Sequence, residues 1–190
     1  MAEKMSDEKS TQLKGTEAAP VPPTTGPEPW LRGTHTETPA VLRAVVHALE
    51  LAQEDLRRWC GNLSDDEVNA RPHGLPPIAF HLRHMGRSAD RLLTYAEGRE
   101  LNANQLLALK AEMDPGATRD GLLEEVTQAL ENAMHRVQAI RGGGLEAPRT
   151  VGRKQLPTTV AGLVVHVADH TQRHVGQAVT TAKILLAQRG

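Results

Sequence analysis

The chain is poor in several residue types at once. Its 190 residues include one cysteine, one phenylalanine, one tyrosine and two tryptophans. A lone cysteine, Cys60, excludes an intramolecular disulfide framework and any cysteine-based zinc ribbon; it reads as a small apolar filler at the end of a helix. Aromatics at 2% leave the core to aliphatic side chains. Neither sign of charge dominates, since 22 Lys and Arg stand against 23 Asp and Glu. Nothing in that balance attracts nucleic acid. No apolar run nears the roughly 20 residues of a membrane span, and the N-terminus lacks the apolar core of a secretory signal. The expectation is a soluble cytoplasmic protein with neither nucleic acid nor membrane as partner. No segment reads persuasively as a strand.

What the chain does have is helical periodicity. Residues 1–29 are set apart as a disordered tail, because charged clusters give way to Ala-Ala-Pro-Val-Pro-Pro with no helical or strand period. Residues 30–190 read as one domain. Its first helix opens at Thr38-Pro39, buries Leu42, Val45, Val46, Leu49, Ala52 and Leu56, and stops at Gly61. Ser64-Asp-Asp-Glu67 is a capping box for a short helical turn. A second long helix carries Ile78, Leu82, Met85, Ala89, Leu92 and Ala96 to a stop at Gly98. Asn102–Met113 reads as a short connecting helix. The third long helix, Thr118 to Arg141, shows Leu122, Val126, Leu130, Ala133, Val137 and Ile140, and Gly142–Gly144 ends it. After a link of about fifteen residues, Thr158 or Thr159 caps a last helix reaching Leu186, whose apolar face is Val160, Val164, Val167, Thr171, Val175, Ala178, Ala182 and Leu185. Four long amphipathic helices specify an all-α four-helix bundle.

The last helix contains His166-Val-Ala-Asp-His170-Thr-Gln-Arg-His174-Val-Gly-Gln177. Residues four apart lie one turn up and about 40° around, so neighbouring members of this series can aim at one point. Two such imidazoles can share a metal ion. On a helical wheel His170 and His174 flank the apolar stripe, whereas His166 turns well away from it. The second helix offers His81 and His84, and there the wheel leans towards His81. His35, His47, His73 and His135 are isolated and read as loop or surface histidines. Three neutral imidazoles on a divalent ion leave a coordination position open, which is the arrangement of a catalytic centre. Zinc, nickel, manganese and iron all accept such ligands. A haem between two histidines is a further option, but the four-spaced pair fits a small ion better. Gln177 can line the pocket or orient a water. Arg149, Arg153 and Lys154, just before the last helix, are candidate contacts for an anionic group, with a solvated loop as the plainer reading.

His81-Leu-Arg-His84-Met-Gly-Arg-Ser-Ala-Asp on the second helix, together with the His166–Gln177 motif, resembles the DinB/YfiT-like family of metal-dependent bundle proteins. The likeness extends over about residues 30–188. It implies an up-down-down-up bundle, a homodimer, and a divalent metal, zinc or nickel first, held by His84, His170 and His174. His81 and His166 are left as alternative or supporting ligands. On the second helix this choice differs from the wheel. The resemblance also implies a metal-dependent enzyme acting on a small molecule, either a transferase using a low-molecular-weight thiol as co-substrate or a hydrolase. Asp169 points about 100° from its histidine neighbour and is no obvious proton acceptor. The alternative is a non-catalytic, metal-binding or stress-associated dimeric bundle. The roughly twenty-residue link between the second and third long helices suits a crossover between parallel neighbours.

Overall fold

The computed structural model describes residues 26–140 and 144–189. The expected tail therefore lies outside the described residues except at its end, where Pro29–Leu31 forms a 3-10 turn. Four long helices follow: α1 (Ala40–Cys60), α3 (Ile78–Ala96), α5 (Arg119–Ala139) and α6 (Val160–Ala187). Two short helices, α2 (Asp65–Asn69) and α4 (Ala103–Lys110), lie between them. The helix starts follow local chemistry. Ser64 accepts the Glu67 amide while the Glu67 carboxylate accepts the Ser64 amide, the reciprocal box expected at α2. Thr118 and Thr159 cap α5 and α6 by accepting the amides of Gly121 and Gly162. At α1 the start falls one residue later than expected. Pro39 keeps an extended ψ of 142° and sits at the cap position, so Ala40 is the first helical residue.

Helix directions follow from cross-helix pairs. Gln53 of α1 reaches the Thr127 carbonyl of α5 while His35, before α1, meets Gln138 near the end of α5, so these helices are antiparallel. Ala48 pairs with Gln172 and Trp59 with Lys183, which makes α1 and α6 parallel. His81 pairs with His174 and His84 with His170, so α3 opposes α6. Arg87 pairs with Glu125 and Glu97 with Arg136, so α3 and α5 run the same way. With α1 and α3 each packed against both α5 and α6, the result is an up-down-down-up bundle. The core is aliphatic apart from Trp59, Met85 and Cys60, and every expected stripe residue of α1 and α6 is buried. On α3, Leu93 takes the buried place expected of Leu92, which packs at the core's margin.

Parallel α3 and α5 need a crossover, and α4 lies within it. Three arginines spaced four apart on α3 hold this segment. Arg83 donates to the Asp114 carbonyl, Arg87 to the Ala108 carbonyl at 2.9 Å, and Arg91 to Glu112 at 2.8 Å. Asn102 and Gln105 form a capping box at α4, and the Gln105 amide also reaches Asp90 and Thr94 of α3.

The expectation of no strand is corrected by a small antiparallel hairpin, β1 (Pro148–Val151) and β2 (Leu156–Thr159). Prolines at 148 and 157 argue against strands in a wide sheet. A two-stranded ribbon has two free edges where a missing donor costs nothing. The helix end expected from Arg141 to Gly143 lies outside the described residues; the described part of α5 ends at Ala139. Among the described residues no helix is long and apolar enough to cross a membrane.

Candidate metal centre

Antiparallel packing of α3 on α6 sets His84 opposite His170 and His174. One ring nitrogen from each lies within 4.8 Å of the others. The His84 and His170 Nε2 atoms are 2.8 Å apart, and the rings of His170 and His174 lie 4.6 Å apart centre to centre. A tetrahedral ion with nitrogens at about 2.0–2.1 Å separates its ligands by roughly 3.4 Å. With one pair at 2.8 Å and all three nitrogens within 4.8 Å of one another, the three side chains need only small shifts to fit a small divalent ion.

Neighbouring groups set the rings. His84 Nδ1 lies 2.7 Å from Glu112 Oε2. A carboxylate only accepts, so Nδ1 carries the proton and Nε2 presents its lone pair to the cluster. The other Glu112 oxygen accepts from Arg91. Glu112 is 5% exposed; burial alone would raise its pKa, but the bonds from His84 and Arg91 outweigh that and hold it low. His174 Nδ1 lies 3.0 Å from His81 Nδ1. With His174 as donor in that pair, its Nε2 is unprotonated. Phe80, the chain's sole phenylalanine, stacks on His84 at 5.2 Å and meets His174 edge-on.

The cluster favours neutral rings. Burial, followed by the nearness of His174 and His84, lowers the His170 pKa to about 4. His81 is likewise pushed down to about 4, by burial and then by His174 and His84. Burial also lowers His174. Each effect keeps lone pairs available near neutral pH.

The other expected residues sort plainly. His81, favoured by the wheel, is the more buried histidine of α3 at 3% exposure, but it sits behind His174 and outside the three-nitrogen cluster. His166 points to solvent beside Asp169, and Asp169 pairs with Arg173. Gln177 is exposed and lines a groove of about 340 Å³ with Leu75, Pro76, His81, Arg173 and Thr181. Arg153 and Lys154 lie exposed in the hairpin turn, and β1 packs against α3. The neighbouring Arg149 binds the Ala96 carbonyl, about 18 Å along α3 from His84. Arg149 therefore closes the end of α3. Cys60 is fully buried, and burial pushes its thiol up to about 12, which leaves it inert. Sequence reasoning missed Glu112, Arg91 and Phe80. Phe80 alone had a signal, as the one phenylalanine beside a histidine pair.

The up-down-down-up course and three converging imidazoles define a class of helical bundles with a histidine cluster between two helices. The DinB superfamily sequence profile matches residues 48–178, well over half of the chain, and the chain belongs to that superfamily. The fold is similar to a crystal structure described as a conserved protein of locus from Enterococcus faecalis, with a TM-score of 0.63 at 18% identity. That likeness covers 79% of this chain and 98% of the other. No curated protein gives a significant match to the chain.

Proposed function

We propose that this is a metal-dependent enzyme acting on a small molecule, with a divalent ion held by His84, His170 and His174. The observation that carries the reading is the convergence of three ring nitrogens, one of them fixed as a lone pair by a buried carboxylate. Zinc and nickel are the preferred ions for an all-imidazole set, ahead of manganese and iron. Bound there, the ion would lower the pKa of a thiol or water in its open position. The protein's own groups supply orientation. Glu112 and His81 hold two of the rings, and Phe80 covers one face.

Of the two reactions, thiol transfer has the stronger support. Both Glu112 oxygens are already engaged by His84 and Arg91, so this carboxylate orients a ligand and is not free to take a proton from water. A thiol activated by the ion needs less help from a separate base, because its own pKa starts much nearer neutrality. A low-molecular-weight thiol as co-substrate, a homodimeric state and a cytoplasmic location are parts of this proposal. The second reading, a non-catalytic metal-binding bundle, draws on the crowding of Phe80 over the cluster.

The test is elemental analysis of untagged protein alongside His84→Ala and His170→Ala. Each variant should lose one metal equivalent relative to wild type while keeping its helical circular dichroism. Folded variants that retain the full metal content would overturn the assignment. A screen for metal-dependent thiol consumption then separates enzyme from simple metal binder.

A further inference from the structure

We propose a second divalent-metal site, formed by His35, His47 and Glu50 where the segment before α1 folds against α1 and α5. It shares no residue with the His84 cluster and does not depend on the reading given above. In the sequence His35 and His47 appear isolated, because twelve positions separate a loop residue from a helical one. The fold brings them together. His47 and Glu50 are three residues apart on α1 and so share a face. His35 enters from the loop with a left-handed backbone, φ 56°, rare for a residue with a side chain. One donor atom from each of the three lies within 4.8 Å of the others.

The donor chemistry is complete. Two imidazoles and one carboxylate make a set found in zinc enzymes, and it suits zinc, nickel or cobalt. His35 Nε2 lies 2.8 Å from Glu50 Oε1, so a nitrogen and an oxygen already face each other. The opposite nitrogen, His35 Nδ1, lies 3.1 Å from the Gln138 amide of α5. An amide turned by half a rotation offers oxygen in place of nitrogen. With that turn Nδ1 keeps the proton and Nε2 is released to an ion. His47 is 7% exposed, its Nε2 3.2 Å from the Thr34 hydroxyl, which steadies the ring from the same loop that carries His35. The nearby Glu54 is already paired to Arg32, so Glu50 is left as the carboxylate of the set. An ion here would tie the loop, α1 and, through Gln138, α5 into one unit. Its role is a clamp on the entry to the bundle.

The experiment measures zinc stoichiometry and thermal unfolding of the full chain, with and without zinc. Wild type should bind two equivalents, and His84→Ala/His170→Ala should retain one whose addition still raises Tm by several degrees. Adding His35→Ala or Glu50→Gln should abolish both the retained ion and the Tm shift. His35 is in a partly exposed loop and Gln is isosteric with Glu, so these changes leave the packed core intact. Should the central double variant fail to fold, single His35→Ala and Glu50→Gln proteins must each fall from two equivalents to one. Zinc content unchanged by both His35→Ala and Glu50→Gln overturns the site, as does a folded central variant that binds none. One equivalent lost to His35→Ala but not to His84→Ala would uphold this site and remove the central one.

Discussion

Glu112→Gln should weaken metal binding at the central cluster more than its near-identical shape suggests. The carboxylate uses both oxygens: Oε2 accepts from His84 Nδ1 at 2.7 Å and Oε1 accepts from Arg91 at 2.8 Å. An amide has only one oxygen. Arginine has no acceptor and does not give up its proton, so the amide oxygen must remain with Arg91 and the NH2 group must face His84. His84 Nδ1 then becomes an acceptor, its proton moves to Nε2, and the nitrogen that faced His170 no longer has a lone pair. Loss of a group that orients a ligand typically costs about 10–100-fold in affinity, or about 1.4–2.8 kcal/mol. The upper end is expected here, because the tautomer itself is reversed. Zinc affinity is measured by competition with a chromophoric chelator, all proteins carrying Glu50→Gln so that only the central site is counted. Circular dichroism checks the fold, and nitrogen NMR of the imidazoles reads the tautomer. Adding Arg91→Leu frees the amide oxygen to turn to His84 and should recover part of the affinity. A folded Glu112→Gln protein that binds zinc like its parent would refute the reasoning. Failure of Arg91→Leu to restore any affinity would refute the tautomer argument.

Two further outcomes concern stability. His81 and His170 titrate near 4 in the folded chain, against about 6.5 when unfolded. As pH falls the unfolded chain takes up these protons first, so metal-stripped protein should lose stability between about pH 6.5 and 4 and flatten below. His81 alone accounts for on the order of 3 kcal/mol, His170 for less because it is more open to solvent. Urea unfolding across that range measures it, and a slope that does not lessen in His81→Leu would contradict the origin. Gly86→Ala places a Cβ 2.7 Å from the Ala129 Cβ, where α3 meets α5. Overpacking of this kind costs about 1–3 kcal/mol, offset by up to about 1 kcal/mol of helix propensity. Ala129→Gly should rescue it, and independent, additive effects in thermal unfolding would exclude the contact.

Much of the bundle was legible in sequence because burial repeats at helical spacing and caps are local. Every stripe residue expected on α1 and α6 is buried, and Ser64 with Glu67 closes the box that four letters announce. The His81 and His84 question shows where a wheel stops. A wheel ranks positions by closeness to the apolar centre, and it ranks burial correctly: His81 is the deeper residue. Three rings meet beside that centre, where α3 faces α6, and a position slightly off axis reaches the meeting point better. Glu112 had no local signal, since its partner is 28 residues away and only the path of the crossover joins them. The hairpin was hidden by Pro148 and Pro157, which are tolerated because each strand has a free edge. His35 and His47 looked solitary for a related reason, as one sits in a loop whose course no periodicity records.

The crossover between α3 and α5 has a consequence for how such a chain can change. A bundle of alternating helices joined by tight turns could bury the same stripes without this connection. Here the strand of chain that reverses the path also delivers Glu112 to His84, tethered by Arg83, Arg87 and Arg91. An insertion or deletion within it would leave the helices packed while moving the carboxylate out of reach. Length changes in this connection should therefore separate folding from ion affinity. Relatives that differ there are where the same architecture would be found tuned to a different ion or to none.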